Sequence, residues 1–429
     1  MRKSLKSLFV TIIITSLVLG SGCARRNDPV AVVVSGDQGA IKSFLHDFET
    51  PGYLPPNGEG LTLTEFPNRT SKTYVPPHYR LPGQGRPYPV LYLLLDFGGN
   101  ATTKDVTDEY YFEIDLRRLA DSLINAGVIR PMIIATVDLH NAYGGSWYTN
   151  NPIQGLYDDC LVEFVAYTDT ALNASTHNGR FSRAIAGVGM GGYGAVISAM
   201  RHPGLFSSVS SINGHLAFSS ESVEHNFRGV LEWAPMVFEE NRVTALPVSP
   251  DPYGDAATLS YYSIAPNINR PLLKPFTNLV FSMAAAFSPF DPATATSEDS
   301  VTWMNKAVAG GVETNWKVTL PFDYSGNLWP PSWSDWKDND PARILYDNPV
   351  ALADVQVKVM AGTTGRYNTL AQNRIFRDVA VQRGALTVQY SEYDGYDGYN
   401  TEARNYLIFV LKDILIFHSD NFVRDPFTP

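Results

Sequence analysis

Three short apolar runs, and a fourth stretch that mixes serine with Val and Ile, constrain this chain more than any other feature. They are Pro89-Val90-Leu91-Tyr92-Leu93-Leu94-Leu95, Met132-Ile133-Ile134-Ala135-Thr136-Val137, Arg183-Ala184-Ile185-Ala186-Gly187-Val188 and Ser208-Val209-Ser210-Ser211-Ile212. They are too short to be core helices, and the first three lack the alternation of a strand with one wet face. Such runs are strands buried on both faces. Helical patterns separate them: 112–126, ending at Gly127, then 156–172, then a helix running to His202-Pro203. Two further strands, 355–360 and 386–390, alternate with helices at 369–383 and 401–417, and 61–75 reads as two short strands around Pro67-Asn68. This alternation implies an open, mainly parallel α/β sheet with helices on both faces. Ligands of such sheets bind at the carboxyl ends of the strands.

The composition agrees with a packed globule. Of 429 residues, 44% are hydrophobic and 18% charged, so a core forms without disulfide or metal staples. The net charge of −10 argues against nucleic acid, which needs basic patches, and against peripheral binding to anionic lipid.

The N-terminus reads as an export signal. Arg2, Lys3 and Lys6 precede an apolar stretch from Leu8 to Leu19, which is too short to span a bilayer. It ends in Leu19-Gly20-Ser21-Gly22-Cys23, which resembles a bacterial lipobox whose cysteine receives the lipid. Residues 1–22 are then a lipoprotein signal peptide, and 23–60 a lipid anchor and tether. Ala24 and Arg25 follow, with no Asp beside Cys23, resembling outer-membrane sorting. The expected location is the bacterial cell envelope, with membrane contact through the lipid anchor only. The other cysteine, Cys160, lies in a helical pattern and reads as a buried structural thiol.

Residues 219–345 break the alternation. They carry Trp233, Trp303, Trp316, Trp329, Trp333 and Trp336, and many prolines. The stretch is too long for a structureless loop. We read it as a cap-like insertion over the carboxyl edge, between a first core part at 61–218 and a second at 346–429. Its rings either form the cap's own core, the favoured reading, or stack on sugars and aryl esters. Trp329-Pro330-Pro331-Ser332-Trp333 is expected to expose a ring, because its prolines bar a buried helix. Tyr393-Asp394-Gly395-Tyr396-Asp397-Gly398-Tyr399 reads as a pair of turns.

The chemistry-bearing motif is Ala186-Gly187-Val188-Gly189-Met190-Gly191-Gly192-Tyr193-Gly194, which follows a strand and opens a helix. That is the placement of the Gly-x-Ser-x-Gly nucleophile elbow. With Arg201-His202-Pro203-Gly204-Leu205-Phe206, Gly98-Gly99-Asn100, Gly145-Ser146-Trp147-Tyr148 and Val75-Pro76-Pro77-His78-Tyr79, the chain resembles the "putative esterase" family of α/β hydrolases: esterase D, feruloyl esterases and mycolyltransferases. The resemblance covers about 70–217 and 350–415. It implies an α/β-hydrolase fold and carboxylic-ester hydrolysis.

The residues of that chemistry do not carry over. Acyl transfer needs a hydroxyl to attack, a His to take its proton and a carboxylate to orient the His. The resemblance places the nucleophile at Gly189, the acid at Gly365 and the His at Tyr399. The family's His-Gly after the first core strand is Leu95-Asp96 here, which sets a carboxylate beside the oxyanion pocket. After residue 225 the only histidine is His418, deep in the C-terminal helical pattern. A degenerate triad is expected, with no cofactor. Asp96, Asp138, His140, Met190, His215 and Tyr399 are the candidate pocket residues.

Three readings follow. The first is a non-catalytic esterase homologue that binds a glycan or acyl-ester ligand, or a protein partner through the cap. The second is an active ester hydrolase with a non-standard site. The third has Asp138, His140 and His215 ligating a metal, although no spacing such as His-Glu-x-x-His supports it.

Overall fold

The computed structural model describes residues 36–47, 68–97, 116–141, 143–151, 155–175, 178–241, 274–289, 318–322, 326–385, 388–396 and 401–423. The main sheet is built from β1 (Ala40–Asp47), β2 (Asn68–Val75), β3 (Val90–Leu94), β4 (Ile133–Val137), β5 (Arg183–Val188), β6 (Ser208–Ile212), β7 (Gln356–Thr364) and β8 (Val388–Tyr396). Its eight strands lie in the order β1-β2-β4-β3-β5-β6-β7-β8. β2 pairs antiparallel with both β1 and β4, and every pairing from β4 through β8 is parallel.

Both faces of the sheet are dry, as the unbroken apolar runs require. Val90, Tyr92 and Leu94 of β3 enter one core, while Leu91, Leu93 and the following Leu95 enter the other. The second core is closed by Leu116, Ala120 and Leu123 of helix α1 (Leu116–Asn125) and by Val410, Leu411, Ile414 and Leu415 of the C-terminal helix, Thr401–Asn421. The first is closed by α2 (Tyr157–Ala171), which buries Cys160, and by α3 (Met190–Arg201). Each buried Leu, Ile or Phe side chain contributes roughly 1.5–3 kcal/mol, so this double burial holds the sheet together. It is a mainly parallel α/β sheet with helices on both faces, the α/β-hydrolase arrangement expected.

Among the described residues, β6 is followed by α4 (Ala234–Glu240), α5 (Pro275–Phe287), α6 (Pro330–Asp338) and α7 (Pro341–Asp347). They are succeeded by α8 (Thr369–Gln382), and the C-terminal helix becomes α9. α5 is buried from Thr277 to Phe287. Asp340 caps α7 by accepting from the Ala342 and Arg343 amides, and it also accepts from Ser219 N at 2.5 Å. The two ends of the inserted stretch therefore meet at one carboxylate, whose pKa burial raises to about 6.

The structure corrects several local readings. Ala40–Asp47 falls inside the stretch read as tether, yet it is the edge strand of the sheet. Its charged and polar residues suit an edge and left no apolar run to find. Asn68–Val75 is a strand, the second of the two expected there, and 61–67 lie outside the described residues. Tyr393 to Tyr396 belong to β8 and carry a register shift, where turns were expected. Pro330 and Pro331 begin α6: they sit at its first turn, where a missing N–H costs nothing. Trp233 and Trp336 are fully buried, as core residues of the cap would be, whereas Trp303 and Trp316 lie outside the described residues. So do Cys23, the signal segment and Tyr399. Among the described residues, no helix is long and apolar enough to cross a membrane.

Candidate active site

The turn between β5 and α3 is built around Gly189, at φ +53° and ψ −114°. A side chain at such a positive φ is strained. Gly189 N donates to Ile212 O at 2.8 Å, and Gly189 O accepts from Tyr193 N at 3.0 Å, so the turn is locked to β6 and to the first turn of α3.

Asp96 comes off the end of β3 and crosses this turn. Its Oδ1 accepts two backbone N–H bonds, from Met190 and from Phe97, both at 2.7 Å. In an α/β hydrolase the amide after the nucleophile and an amide from the loop after β3 are the oxyanion-hole donors. Both are occupied here by the protein's own carboxylate. A Cβ placed on Gly189 would lie 1.9 Å from Asp96 Oδ1 and 2.4 Å from its Cγ. Asp96 thus fills both the oxyanion site and the space of a nucleophile's side chain.

Asp138 and His140 hold that arrangement from behind. His140 Nδ1 is 2.8 Å from Asp138 Oδ1, and its Nε2 donates to the Asp96 carbonyl at 2.7 Å. Asp138 Oδ1 also accepts the His140 amide at 2.9 Å. The imidazole is fully buried with both nitrogens engaged, and it fixes the backbone of Asp96. Of the pocket residues expected from sequence, Asp96, Asp138, His140 and Met190 come together.

His215 does not join them. Its ring is enclosed by Trp147 (5.4 Å between centroids), Trp233 (5.7 Å) and Tyr367 (5.9 Å), and burial pushes its pKa down to about 3. It is a neutral histidine in an aromatic box. Trp147 links this box to the elbow, since its amide donates to Met190 Sδ at 3.4 Å and its Nε1 donates to Ser282 of α5 at 2.9 Å. Trp147 and Tyr148 both adopt positive φ, +53° and +47°. The Tyr148 hydroxyl accepts from Leu95 N at 2.8 Å and donates to Leu95 O at 3.0 Å, closing the end of β3. The Gly-Ser-Trp-Tyr stretch, a mark of the family resemblance in sequence, also ties the elbow region to α5 through Trp147, which no local sequence pattern signals.

Asp138, His140 and His215 do not form a ligand set. Among the described residues, the carboxylate and imidazole groups whose ligand atoms all lie within 4.8 Å of one another are Glu224, His225 and Asp378. There the Arg377 guanidinium already pairs with Asp378 at 2.6 Å, so a cation would meet a positive neighbour. Ser208 Oγ and His418 Nδ1 lie 2.8 Å apart, but this pair is fully buried at the start of β6, away from the carboxyl edge.

The model of the family described as "putative esterase" matches residues 67–412. The chain belongs to this esterase family. An esterase of Mycobacterium tuberculosis is 31% identical over 166 residues, 37% of this chain and 31% of that protein, so the match spans about a third of the relative's length. A ferulic acid esterase structure covers 90% of this chain and 99% of its own, at 17% identity and TM-score 0.46. An S-formylglutathione hydrolase from Agrobacterium tumefaciens covers 91% and 99%, at 13% identity and TM-score 0.48. In the esterase family's frame, Gly189 stands at the elbow, and Gly365 is an exposed residue just past β7.

Proposed function

We propose that this member of the esterase family is non-catalytic and acts by binding, as an exported protein anchored through a lipid on Cys23. One observation carries the reading: the carboxylate of Asp96 occupies both oxyanion donors and the volume in which a nucleophile would stand. A second negative charge developing about 4 Å away would be opposed by about 4 kcal/mol at an effective dielectric of 20. That is roughly a thousandfold in rate, on top of the missing hydroxyl. The binding partner we favour is a glycan or acyl-ester ligand; a protein docking on the inserted helices is the other candidate.

Ester turnover tests this. Residues 24–429 are assayed with p-nitrophenyl acetate and a feruloyl ester, and exposed to a fluorophosphonate probe. No rate above buffer and no labelling are expected. Turnover lost in Asp96→Asn would overturn the proposal and make Asp96 a carboxylate nucleophile. Turnover lost in His215→Ala would overturn it in favour of a site rebuilt around the aromatic box.

A further inference from the structure

A cleft of about 460 Å³ opens where the start of α2 and the end of α3 meet the C-terminal ends of α5 and α6. None of the residues lining it belongs to the elbow, and the Phe287 ring, packed on Trp147 and Tyr193, divides the two regions. Its polar lining is Thr149, Asn150, Asn151, Asp158, Arg201 and Asn339. Hydrogen bonds outside the cleft hold these side chains in place. Asn150 Oδ1 accepts from the Asp158 and Asp159 amides at 2.9 and 3.1 Å. Asn151 Nδ2 donates to the Ala285 and Ala286 carbonyls, and Asn339 Nδ2 to Asp335 O at 2.8 Å.

Two groups in this frame are incompletely matched. The Arg201 guanidinium donates to neutral oxygens, Thr149 Oγ1 at 3.3 Å and Asn339 Oδ1 at 2.7 Å, and pairs with no carboxylate among the described residues. Asp158 is only 5% exposed, yet its Oδ1 has no donor. Its Oδ2 accepts from His202 Nε2 at 2.8 Å, a contact that raises the His202 pKa. His202 already donates to Oδ2, so the orphan Oδ1 needs one further donor, such as a hydroxyl. Arg201 has no carboxylate partner among the described residues and offers a planar fork to receive one. The amide and hydroxyl side chains around them suit further hydroxyls.

We propose that this cleft binds a small acidic sugar, with the sugar's carboxylate on Arg201 and one hydroxyl donating to Asp158 Oδ1. The site is separate from the elbow, so the proposal stands whether or not the esterase assay detects turnover.

Titration calorimetry of the full chain with D-galacturonate, D-galactose and glycine tests it. Galacturonate is expected to saturate in the millimolar range or below, with galactose at least about tenfold weaker and glycine silent. Arg201→Gln should weaken galacturonate about tenfold or more, and Arg201→Lys, which keeps the charge but loses the fork, should fall between. Circular dichroism of each variant separates lost binding from lost folding. If Arg201→Gln does not fold, Asp158→Asn is the second reading, again expected to weaken galacturonate. No saturation by the folded wild-type protein, equal binding of galactose, binding of glycine, or indifference to these substitutions in folded protein would each overturn the proposal.

Discussion

Placing a hydroxyl at Gly189 is expected to destabilise the protein. In Gly189→Ser the new Cβ falls 1.9 Å from Asp96 Oδ1, so the carboxylate must leave its two amides. Loss of these charge-assisted bonds costs about 2 kcal/mol, and a side chain at φ +53° costs about 2 kcal/mol more. A total near 4 kcal/mol is a large share of the roughly 5–15 kcal/mol that stabilises a folded domain. Asp96→Ala alone loses only the hydrogen bonds, about 2 kcal/mol. In the double variant the clash is gone and the carboxylate is lost only once, so its cost is again about 4 kcal/mol, some 2 kcal/mol less than the sum of the singles. Urea denaturation of all four proteins measures this cycle. Additive costs, or a Gly189→Ser protein as stable as wild type, would refute the claim that Asp96 occupies the nucleophile's place. None of the three variants should hydrolyse esters, since His140 is held between Asp138 and the Asp96 carbonyl and His215 is enclosed by aromatic rings.

Three further outcomes are expected. His418 is buried, and burial lowers its pKa from the ordinary 6.5 to about 3. Its unfolded form gains a proton that the folded form refuses, so its contribution to stability is full above pH 6.5 and is lost as pH falls towards 3. Between pH 7 and 5 wild type should lose about 2 kcal/mol more than His418→Gln in urea titrations. An equal loss would show that the ring is solvated; His215 shifts the same way and Asp340 the opposite way, and both cancel in the comparison. Ser282→Ala should cost about 1–3 kcal/mol by orphaning the buried Trp147 Nε1, seen as a lowered urea midpoint. Cys23→Ser should abolish metabolic labelling by palmitate and move the protein from the membrane to the soluble fraction; unchanged fractionation would refute lipid anchoring.

The sheet was readable because two-sided burial leaves unbroken apolar runs: β3 to β5 lie where those runs lie, and β6 lies on the mixed Ser and aliphatic stretch that follows. The elbow was readable because a strand, a glycine-rich turn and a helix leave a local signature. β1 was not, because an edge strand carries no such run. The convergence of Asp96, Asp138, His140 and Met190 was foreseen only as a shared sheet edge. That Asp96 turns its carboxylate into the amides of Met190 and Phe97 depends on a loop path with no periodicity. Likewise, His215 reads as a plausible ligand in sequence, and only packing reveals the rings of Trp147, Trp233 and Tyr367 around it.

The lodging of Asp96 over Gly189 also limits which single substitutions the elbow tolerates. A serine introduced at position 189 would collide with that carboxylate, so the change is penalised at its first step. The aspartate would have to leave first, at a loss of stability. Any path that installs a side chain at the elbow therefore runs through two successive unfavourable changes, and the present arrangement is held in place by sterics.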